Sequence, residues 1–385
     1  MISSSERIPV AGPSITDLEV EWAARAAREG WYANHYAFNT KFEQLVAEYA
    51  GVHYAISVPH CTAALHLALA AAGIGAGDEV IVPDATWIAS VAPIIYCGAT
   101  PVLVDIRADT WCIDPDAVEA AIGPKTRAII GVDLYGSMCD WDRLTKIAEH
   151  YNLVLIEDAA EAIGSSFRDQ RAGAFGKAAA FSFHGSKTVA TGEGGMLVTN
   201  DEALRDRALF LRDHGRNPLD RHFLNREIGF KYRMNAVTAA LGVAQMLRID
   251  ELIAAKRRIF AWYKSRLDGL NGVTLNAEPD GTTNSYWMVT AVVDEAFGID
   301  KFGLMSEMDK RNIDTRPFFT PLSELPVLDD RPESKRFVSR HSISSRIAKR
   351  AINLPSGYNM DEEKVDIVCR VFRDVLAGSA ARGVA

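Results

Sequence analysis

Short apolar segments alternate with helical segments between residues 79 and 156, and this alternation restricts the possible folds more than any other feature of the sequence. The apolar segments are residues 80–82, 102–104, 128–132 and 153–156. Each is bounded by helical or turn-forming sequence and is short enough to be a buried strand. The alternation predicts an α/β fold in which a mainly parallel sheet is covered by helices on both faces.

One lysine, Lys187, lies in a turn between two further apolar segments, residues 178–183 and 196–199. Glycine occupies positions 185, 192, 194 and 195 of this turn. Glycines permit positive φ angles and close backbone approach to a ligand, at a cost that a simple connection would not need. An exposed lysine is the plain alternative, since lysines are seldom buried unless paired. We favour a lysine at the carboxyl end of a buried strand, where sheets of this kind bind ligands.

Composition excludes several classes of function. The 385 residues, of which 48% are hydrophobic, suffice for two domains, and the formal net charge of -8 does not favour a nucleic-acid partner. The first residues lack a basic segment followed by an apolar one, and no apolar stretch could span a bilayer. We therefore expect a cytoplasmic protein without a membrane partner. The five scattered cysteines predict neither a disulfide framework nor a metal site.

The pattern changes beyond residue 201, where helical segments dominate. The predicted elements are helices at 202–211, 235–267, 304–311 and 362–376 and a strand at 286–293. The long second helix is expected to bridge two domains. We predict a large domain over residues 1–245 and a small C-terminal α+β domain over residues 246–385, and the N-terminal segment is able to pack on the small domain.

The N-terminal region contains two capping signals. Ser14 or Thr16 is a suitable N-cap for a first helix that ends at Gly30, and an aromatic loop at residues 31–36 follows it. This loop either faces a ligand or covers edges of the core, and the two interpretations carry equal weight. Thr62 is the predicted N-cap of a strong helix that directly follows a short strand.

These features suit one cofactor chemistry. A lysine amine forms a Schiff base with an aldehyde, and pyridoxal phosphate then needs an acid at its ring nitrogen and an anion site for its phosphate. Asp158 follows a strand and is the candidate acid, whereas Glu157 points to the other face. The helix beginning at Thr62 offers the anion site. A turn-forming Asp158 and a plainly capped helix are the alternatives. Other residues that follow strand ends and are expected to converge with Lys187 are Asp84 and Asp133.

Motifs along the whole chain resemble those of a known family. They are GDEVIVP at 77–83, LYG at 134–136, EDAAEAIG at 157–164, FSFHGSK at 181–187, TGEGG at 191–195, YRM at 232–234 and TRP at 315–317. Each is weak alone, but in this order they form a specific pattern. The sequence is similar to the nucleotide-sugar aminotransferases of the DegT/DnrJ/EryC1/StrS family.

The resemblance implies a pyridoxal-phosphate-dependent transferase of fold type I, with a mainly parallel seven-stranded sheet in the large domain and a small C-terminal α+β domain. It implies a homodimer with active sites at the interface. Lys187 would be the Schiff-base lysine and proton shuttle, Asp158 the partner of the ring nitrogen, and Trp87 the stacking aromatic. The cofactor-binding residues that the resemblance implies are Thr62, Ala63, Trp87, Asp158, Glu161, Ser182, Lys187 and Lys231.

Substrate-binding candidates come from the segments that flank these motifs. They are Tyr32, Arg233, Arg316 and Phe318. Each of the two arginines can bind both oxygens of a carboxylate or a diphosphate, or can instead form a structural ion pair. Trp87 would be interpreted as a packed aromatic residue at a helix start if the resemblance were absent.

Several positions depart from the common family pattern. They are Cys61, preceded by His60, where a glycine is usual; Lys231, where asparagine reaches the phosphate of the neighbouring subunit; and Asp133 and Thr320, where histidine is frequent. A lysine can serve at position 231 as a point charge. The last two departures bear on the identity of the sugar. Glu161, where glutamine is common, is similar to the perosamine-synthase branch.

The resemblance therefore implies transamination in two halves, with L-glutamate as donor and a nucleotide-linked keto-sugar as acceptor, in the synthesis of deoxyamino sugars such as those of lipopolysaccharide O-antigen. The expected substrate is GDP-4-keto-6-deoxy-D-mannose, giving GDP-perosamine, and dTDP- or UDP-linked 3- or 4-keto sugars are the alternative. Related sugar dehydratases carry histidine in place of the lysine, so Lys187 argues against that class. A non-catalytic sensor would not need Lys187.

Overall fold

The computed structural model describes residues 7–383 with the exception of residues 218, 219, 221, 223 and 340. Residues 1–6, on which part of the expectation of a cytoplasmic protein was based, lie outside the described residues. The helices in the described ranges are α1 Asp17–Glu29, α2 Ala37–Ala50, α3 Cys61–Ala71, α4 Ala92–Tyr96, α5 Pro115–Ala121, α6 Trp141–Tyr151, α7 Glu202–Arg212, α8 Ala236–Leu247, α9 Ile249–Leu267, α10 Lys301–Asp309, α11 Ile343–Ala348 and α12 Glu362–Gly383.

The strands alternate with the helices up to β5 and then follow one another more closely. They are β1 Tyr54–Val58, β2 Glu79–Pro83, β3 Thr100–Val104, β4 Thr126–Val132, β5 Val154–Asp158, β6 Ser166–Phe167, β7 Gln170–Arg171, β8 Ala178–Ser182, β9 Gly195–Thr199, β10 Val273–Leu275, β11 Thr282–Thr283, β12 Val289–Val293, β13 Arg316–Pro317 and β14 Ala351–Leu354.

Seven strands form the central sheet, in the order β1-β9-β8-β5-β4-β2-β3. β2 pairs in parallel with β3 and β4, and β5 pairs in parallel with β4 and β8. β9 is antiparallel to both of its neighbours, β8 and β1. The predicted mainly parallel α/β sheet is confirmed. Because β1, β5 and β8 run in one direction, their carboxyl ends meet at one edge of the sheet, where β9 begins.

Helices cover both faces of this sheet because successive strand residues point to opposite sides. Ile81 and Ile129 enter one buried apolar cluster, whereas Val80, Val82 and Ile130 enter the other. α3 is buried on nearly every side, which explains why its sequence is so uniformly apolar. The strand ends are therefore held by a rigid, close-packed interior.

The small sheet has the order β10-β12-β14-β13, and all of its pairs are antiparallel. Phe260 of α9, Leu304 of α10 and Phe372 of α12 pack in a third apolar cluster against it. The N-terminal segment also joins this region, since the Ile8 N–H donates to the Asn312 carbonyl oxygen (2.8 Å). The domain boundary at residues 245 and 246 stays a prediction.

The first helix follows its prediction and the long bridging helix does not. Thr16 caps α1 with a reciprocal capping box, and α1 ends before Gly30 as expected. The helix predicted at 235–267 is two helices, which meet at Arg248 (φ −112°, ψ 12°). Arg248 donates to Glu19 of α1 (2.7 Å), a contact that neighbouring residues in the sequence cannot indicate. In the part of the chain that the structure describes, no helix is long and apolar enough to cross a membrane.

Candidate active site

A cavity of about 960 Å³ opens at the carboxyl edge of the central sheet. It lies between the ends of β5 and β8, the N-terminus of α3 and the small-domain segment that contains β13. The predicted residues that line it are Thr62, Trp87, Asp158, Glu161, Ser182, Lys187, Arg316 and Phe318. Strands from distant parts of the sequence thus bring most of the predicted site residues together.

Lys187 lies in the connection between β8 and β9, and its side chain is only 13% exposed. Its Nζ is 3.0 Å from Glu161 Oε1 and 3.5 Å from the centroid of the Trp287 ring. The other Glu161 oxygen accepts the N–H of Tyr135 (2.9 Å). Burial raises the pKa of Glu161, and the neighbouring Lys187 charge opposes that rise. The amine is therefore held between a carboxylate and an aromatic face.

The glycines of this turn serve close backbone packing. Gly192 has φ 85°, a conformation that favours glycine. A Cβ at Gly195 would lie 2.4 Å from the carbonyl carbon of His60 and 2.6 Å from the nitrogen of Cys61. β9 consequently passes directly against the N-terminus of α3. A Cβ at Gly194 would instead meet the Thr191 hydroxyl (2.3 Å), and one at Gly185 would have no neighbour closer than 3.6 Å. Of the four glycines, Gly195 alone makes the close approach to the helix end.

Asp158 ends β5 and is 4% exposed, although it lines the cavity. Its Oδ2 accepts the hydroxyl of Ser90 (2.7 Å), and its Oδ1 accepts the N–H of Ala160 (3.2 Å). Burial raises the pKa of this carboxyl group, whereas the hydrogen bonds and the Lys187 charge lower it. A positive group placed in the cavity would favour the ionised carboxylate further.

The N-terminus of α3 differs from its prediction by two residues. Thr62 is not the N-cap, because α3 begins at Cys61 and His60 has the extended conformation of a cap. His60 Nδ1 accepts the N–H of Ala63 (3.0 Å), so this amide is engaged and Ala63 does not line the cavity. Within the described ranges, the N–H groups of Cys61 and Thr62 have no hydrogen-bond partner. Cys61 and Thr62 both line the cavity, and unpaired amides at the start of a helix suit an anion.

These groups fit pyridoxal phosphate. The Lys187 amine suits an aldehyde, the Asp158 carboxylate suits a protonated ring nitrogen, and the free amides of α3 with the Ser182 hydroxyl suit a phosphate. Trp87, which is 59% exposed and lines the cavity, offers a ring face. The donor set and the type of sheet define a pyridoxal-phosphate-dependent transferase of fold type I.

Tyr32, Lys231 and Arg233 lie away from this cavity, although the sequence predicted that they bind cofactor or substrate. Lys231 Nζ and Arg233 Nη2 both donate to the carboxylate of Asp213 (3.1 and 3.2 Å). The Arg233 guanidinium lies 4.4 Å from the ring centroid of Tyr36, and Tyr32 is 94% exposed. Arg233 therefore has the structural ion pair that was one of its two interpretations.

The small-domain side of the cavity is lined by Arg316 and by several apolar residues. Arg316 is exposed and makes no ion pair with any described residue, so its guanidinium is available to a ligand. Phe318 also lines the cavity, but it is fully buried and packs on Tyr135, with ring centroids 5.4 Å apart, so its ring offers little surface to a substrate. Thr320 is exposed on the cavity wall.

Asp133 and Asp84 do not reach the cavity, so the expectation that they converge with Lys187 is wrong. Val132 lines the cavity, and Asp133 points to the other side by strand alternation. The Asp133 carboxylate accepts the N–H of Cys139 (2.8 Å), and burial raises its pKa to about 7. Asp84 accepts the hydroxyl groups of Ser323 and Ser344, which ties the two domains together.

The Asp133 carboxylate has two buried thiol neighbours, Cys112 and Cys139, and one ligand atom from each residue lies within 4.8 Å of the others. Burial raises the pKa of the Cys139 thiol well above its usual range. A metal ion requires the thiolate, so the closed interior favours neutral thiols over a metal site.

Three residues of the site carried no distinct sequence signal. Trp287 contacts the Lys187 amine but was assigned to a strand, and Ser90 donates to Asp158 from an apolar segment. Tyr135 belongs to a family motif and holds Glu161 through its backbone N–H, an interaction that no side-chain pattern predicts. β12 begins at Val289 rather than at 286, because Tyr286 (φ 52°) interrupts the strand and leaves Trp287 free to face the cavity.

Comparisons with known proteins agree with this class. The chain is 38% identical over 376 residues to the GDP-perosamine synthase of Caulobacter vibrioides, covering 97% of this chain and 100% of that protein. The sugar aminotransferase Spr1654 of Streptococcus pneumoniae in its PMP form superposes with a TM-score of 0.89 at 27% identity, covering 98% and 100% of the two chains. DesI, crystallised in the presence of its TDP-sugar product, gives a TM-score of 0.88 at 31% identity and covers 99% and 96%.

Residues 13–373 match the model of the DegT/DnrJ/EryC1/StrS aminotransferase family. The chain belongs to this family, and it is a pyridoxal-phosphate-dependent aminotransferase.

Proposed function

We propose that this aminotransferase moves an amino group from L-glutamate to GDP-4-keto-6-deoxy-D-mannose and produces GDP-perosamine. The support is the 38% identity to a GDP-perosamine synthase over 97% of this chain and the full length of that protein. Glu161, the carboxylate that pairs with Lys187, is also the residue by which the sequence resembles that branch of the family.

One observation carries the proposed chemistry: the Lys187 amine lies 3.0 Å from Glu161 in the cavity that also contains Asp158. When bound, pyridoxal phosphate supplies the electron sink and carries the amino group between the two half-reactions. Lys187 would hold the cofactor through its amine and would accept and return the proton at the substrate carbon. Glu161 accepts a hydrogen bond from the amine and so fixes its position.

The remaining cavity residues bind and orient. Asp158 keeps the proton on the ring nitrogen, and Ser90 fixes the orientation of its carboxylate. The amides of Cys61 and Thr62, with the Ser182 hydroxyl, hold the phosphate at the start of α3. Trp87 covers one face of the ring. Arg316, which has no partner among the described residues, binds the donor carboxylate or the diphosphate.

We further propose a homodimer whose partner subunit completes each cavity. Lys231 is 60% exposed beside Asp213, outside the cavity of its own chain. Ile228 (95% exposed) lies three residues before Lys231, and Trp31 (60%) and Tyr32 (94%) lie in the loop whose Tyr36 contacts Arg233. These exposed apolar residues suit burial against a second copy. The cytoplasmic location expected from the sequence stays a prediction.

The substrate assignment is tested by a panel of nucleotide sugars. The full-length protein is incubated with pyridoxal phosphate, L-glutamate and GDP-, dTDP- or UDP-linked 3- and 4-keto sugars, and the amino-sugar product is measured by mass spectrometry. We expect the highest kcat/KM with GDP-4-keto-6-deoxy-D-mannose and no product from Lys187→Ala. A faster dTDP or UDP substrate would support the alternative, as the DesI product suggests. A nitrogen-free deoxy-sugar would indicate a dehydratase, and full activity in Lys187→Ala would overturn the mechanism.

A further inference from the structure

Lys256 is a fully buried lysine on α9, outside the cavity and 1% exposed. Its Nζ donates to the carbonyl oxygens of Ser356 (2.6 Å) and Trp287 (3.2 Å). Among the described residues no carboxylate pairs with it, and burial lowers its pKa to about 7. Burying an amine without a carboxylate partner costs free energy that a methionine or leucine of similar size would not cost. The position of Lys256 therefore indicates a role that neither of those residues could fill.

The contacts of Lys256 lead to the turn that carries Lys187. Its Nζ holds the backbone of Trp287 and lies 4.9 Å from the ring centroid of Tyr358. Trp287 Nε1 donates to the carbonyl oxygen of Ser186 (2.7 Å), and the Tyr358 hydroxyl donates to the carbonyl oxygen of Thr188 (2.8 Å). The two carbonyl groups that flank Lys187 in the chain are thus held by the two aromatic residues that contact Lys256.

Trp287 also fixes the side chain of Lys187. Its ring lies 3.5 Å from the Lys187 amine and stacks on Tyr135, with centroids 5.9 Å apart. Tyr135 in turn donates its N–H to Glu161, the carboxylate partner of the amine. A shift of Trp287 would therefore move the Lys187 amine relative to Glu161 and to the reacting atoms.

We propose that Lys256 is a positioning residue for Lys187, acting through Trp287 and Tyr358 to fix both the turn and the direction of the amine. This inference rests on the role given to Lys187 under the proposed function. It differs from a purely structural role, in which Lys256 would join α9 to the small domain and add stability without affecting the reactivity of Lys187.

The test compares Lys256→Met with a matched control on the same helix, Tyr263→Phe. Tyr263 is also buried, and its hydroxyl donates to the carbonyl oxygen of Pro355, next to Ser356. Both variants remove a buried hydrogen bond to the same loop, but only Lys256 contacts Trp287 and Tyr358. Full-length proteins freed of cofactor are mixed with pyridoxal phosphate, and attachment to Lys187 is followed by borohydride trapping and peptide mass. Tm, kcat and KM are measured alongside.

We expect Lys256→Met to slow attachment and lower kcat, each about tenfold, with KM for L-glutamate nearly unchanged, because the amine is misplaced and not removed. Tyr263→Phe should lower Tm by a similar amount and leave both rates at the wild-type level. Adding Tyr358→Phe to Lys256→Met should cost less than the sum of the two single effects, since both act on one turn.

Wild-type attachment and kcat in a Lys256→Met protein that has lost stability would overturn the proposal, and so would an equal loss of rate in Tyr263→Phe. If Lys256→Met does not fold, Tyr358→Phe takes its place, because it frees the Thr188 carbonyl group and leaves Lys256 in the chain. It is expected to slow attachment and lower kcat, and wild-type rates in it would overturn the proposal. Trapping at a lysine other than Lys187 in the wild-type protein would instead refute the proposed function, so the two failures are distinguishable.

Discussion

The side chains around Lys187 converge on one cavity, and those around Asp213 lie outside it. The first group was expected at the cofactor; of the second, Lys231 was expected at the phosphate of the neighbouring subunit and Arg233 at the substrate. Asp158, Ser182 and Lys187 all follow the carboxyl ends of strands in one sheet, so the parallel arrangement brings them together. Lys231 and Arg233 instead lie on the connection between α7 and α8, where no strand directs them to that edge.

The two groups also differ in their electrostatics. At the cavity, the Lys187 amine donates to the carboxylate of Glu161. The other carboxylate, that of Asp158, accepts a hydrogen bond from Ser90 and from no cation among the described residues. At Asp213 the balance is reversed, because Arg216, Lys231 and Arg233 all approach one carboxylate, whose pKa they hold well below its usual range. In the cavity, Lys187 and Arg316 accompany the carboxylates of Asp158 and Glu161, whereas at Asp213 three cations surround one carboxylate. In the homodimer proposed above, this excess of positive charge would serve the phosphate of the partner's cavity.

The largest effect on activity is expected from Asp158→Asn, a substitution in the cavity. Asp158→Asn keeps the hydrogen-bonding shape of the carboxylate but removes the charge that holds the ring proton, so kcat should fall by about two to three orders of magnitude. Stability should hold, because the buried charge already has a raised pKa. Steady-state kinetics and thermal unfolding of the holoenzyme measure this, and a loss of less than about threefold would contradict the role of Asp158.

Mixing two variants tests whether Lys231 of one subunit serves the cavity of the other. Lys231→Ala should lose up to about a hundredfold in activity at low cofactor concentration, since a charged phosphate contact is lost. When subunits exchange between the Lys231→Ala and Lys187→Ala proteins, about half of the dimers become mixed, and each mixed dimer has one intact site of two. Activity should therefore recover to about a quarter of the wild-type value.

The control for this mixture is Lys187→Ala with Asp158→Asn. Both residues line the same chain's cavity, so no mixed dimer contains an intact site and no recovery is expected. Native mass spectrometry verifies that mixed dimers form. Mixed dimers of Lys231→Ala and Lys187→Ala without recovered activity would show that Lys231 does not serve the partner's cavity.

The smallest effects are expected from substitutions of Arg316 and Arg233, and the two variants should differ in which quantity changes, KM or Tm. Arg316→Gln is expected to raise KM for L-glutamate or for the nucleotide sugar about tenfold, with Tm unchanged, because its guanidinium is exposed and unpaired among the described residues. Arg233→Gln should lower Tm, since it removes one of the cations around the nearly buried Asp213. A drop in Tm for Arg316→Gln with unchanged KM would reverse this assignment.

The sequence alone predicted the class of fold and much of the cavity. The strand–helix alternation indicated the parallel sheet, and the motif at Lys187 with Asp158 indicated the cofactor. The contributions of Trp287, Ser90 and Tyr135 could not be predicted. Tyr135 acts through its backbone N–H, and the Ser90 hydroxyl and the Trp287 ring meet their partners only because the fold brings together residues that are far apart in the sequence. The cap at His60 was missed because histidine is an uncommon N-cap.

Local sequence determined what depends on neighbours in the chain: strand periodicity, the Thr16 cap and the glycine-rich turn. The tertiary structure decided what depends on distant residues meeting. Asp133 lies in the interior, and the predicted bridging helix is interrupted at Arg248. Lys256 is in contact with aromatic residues from other segments of the chain. The physical reason is that burial and pairing are set by the packed interior, where contacts join residues far apart in sequence.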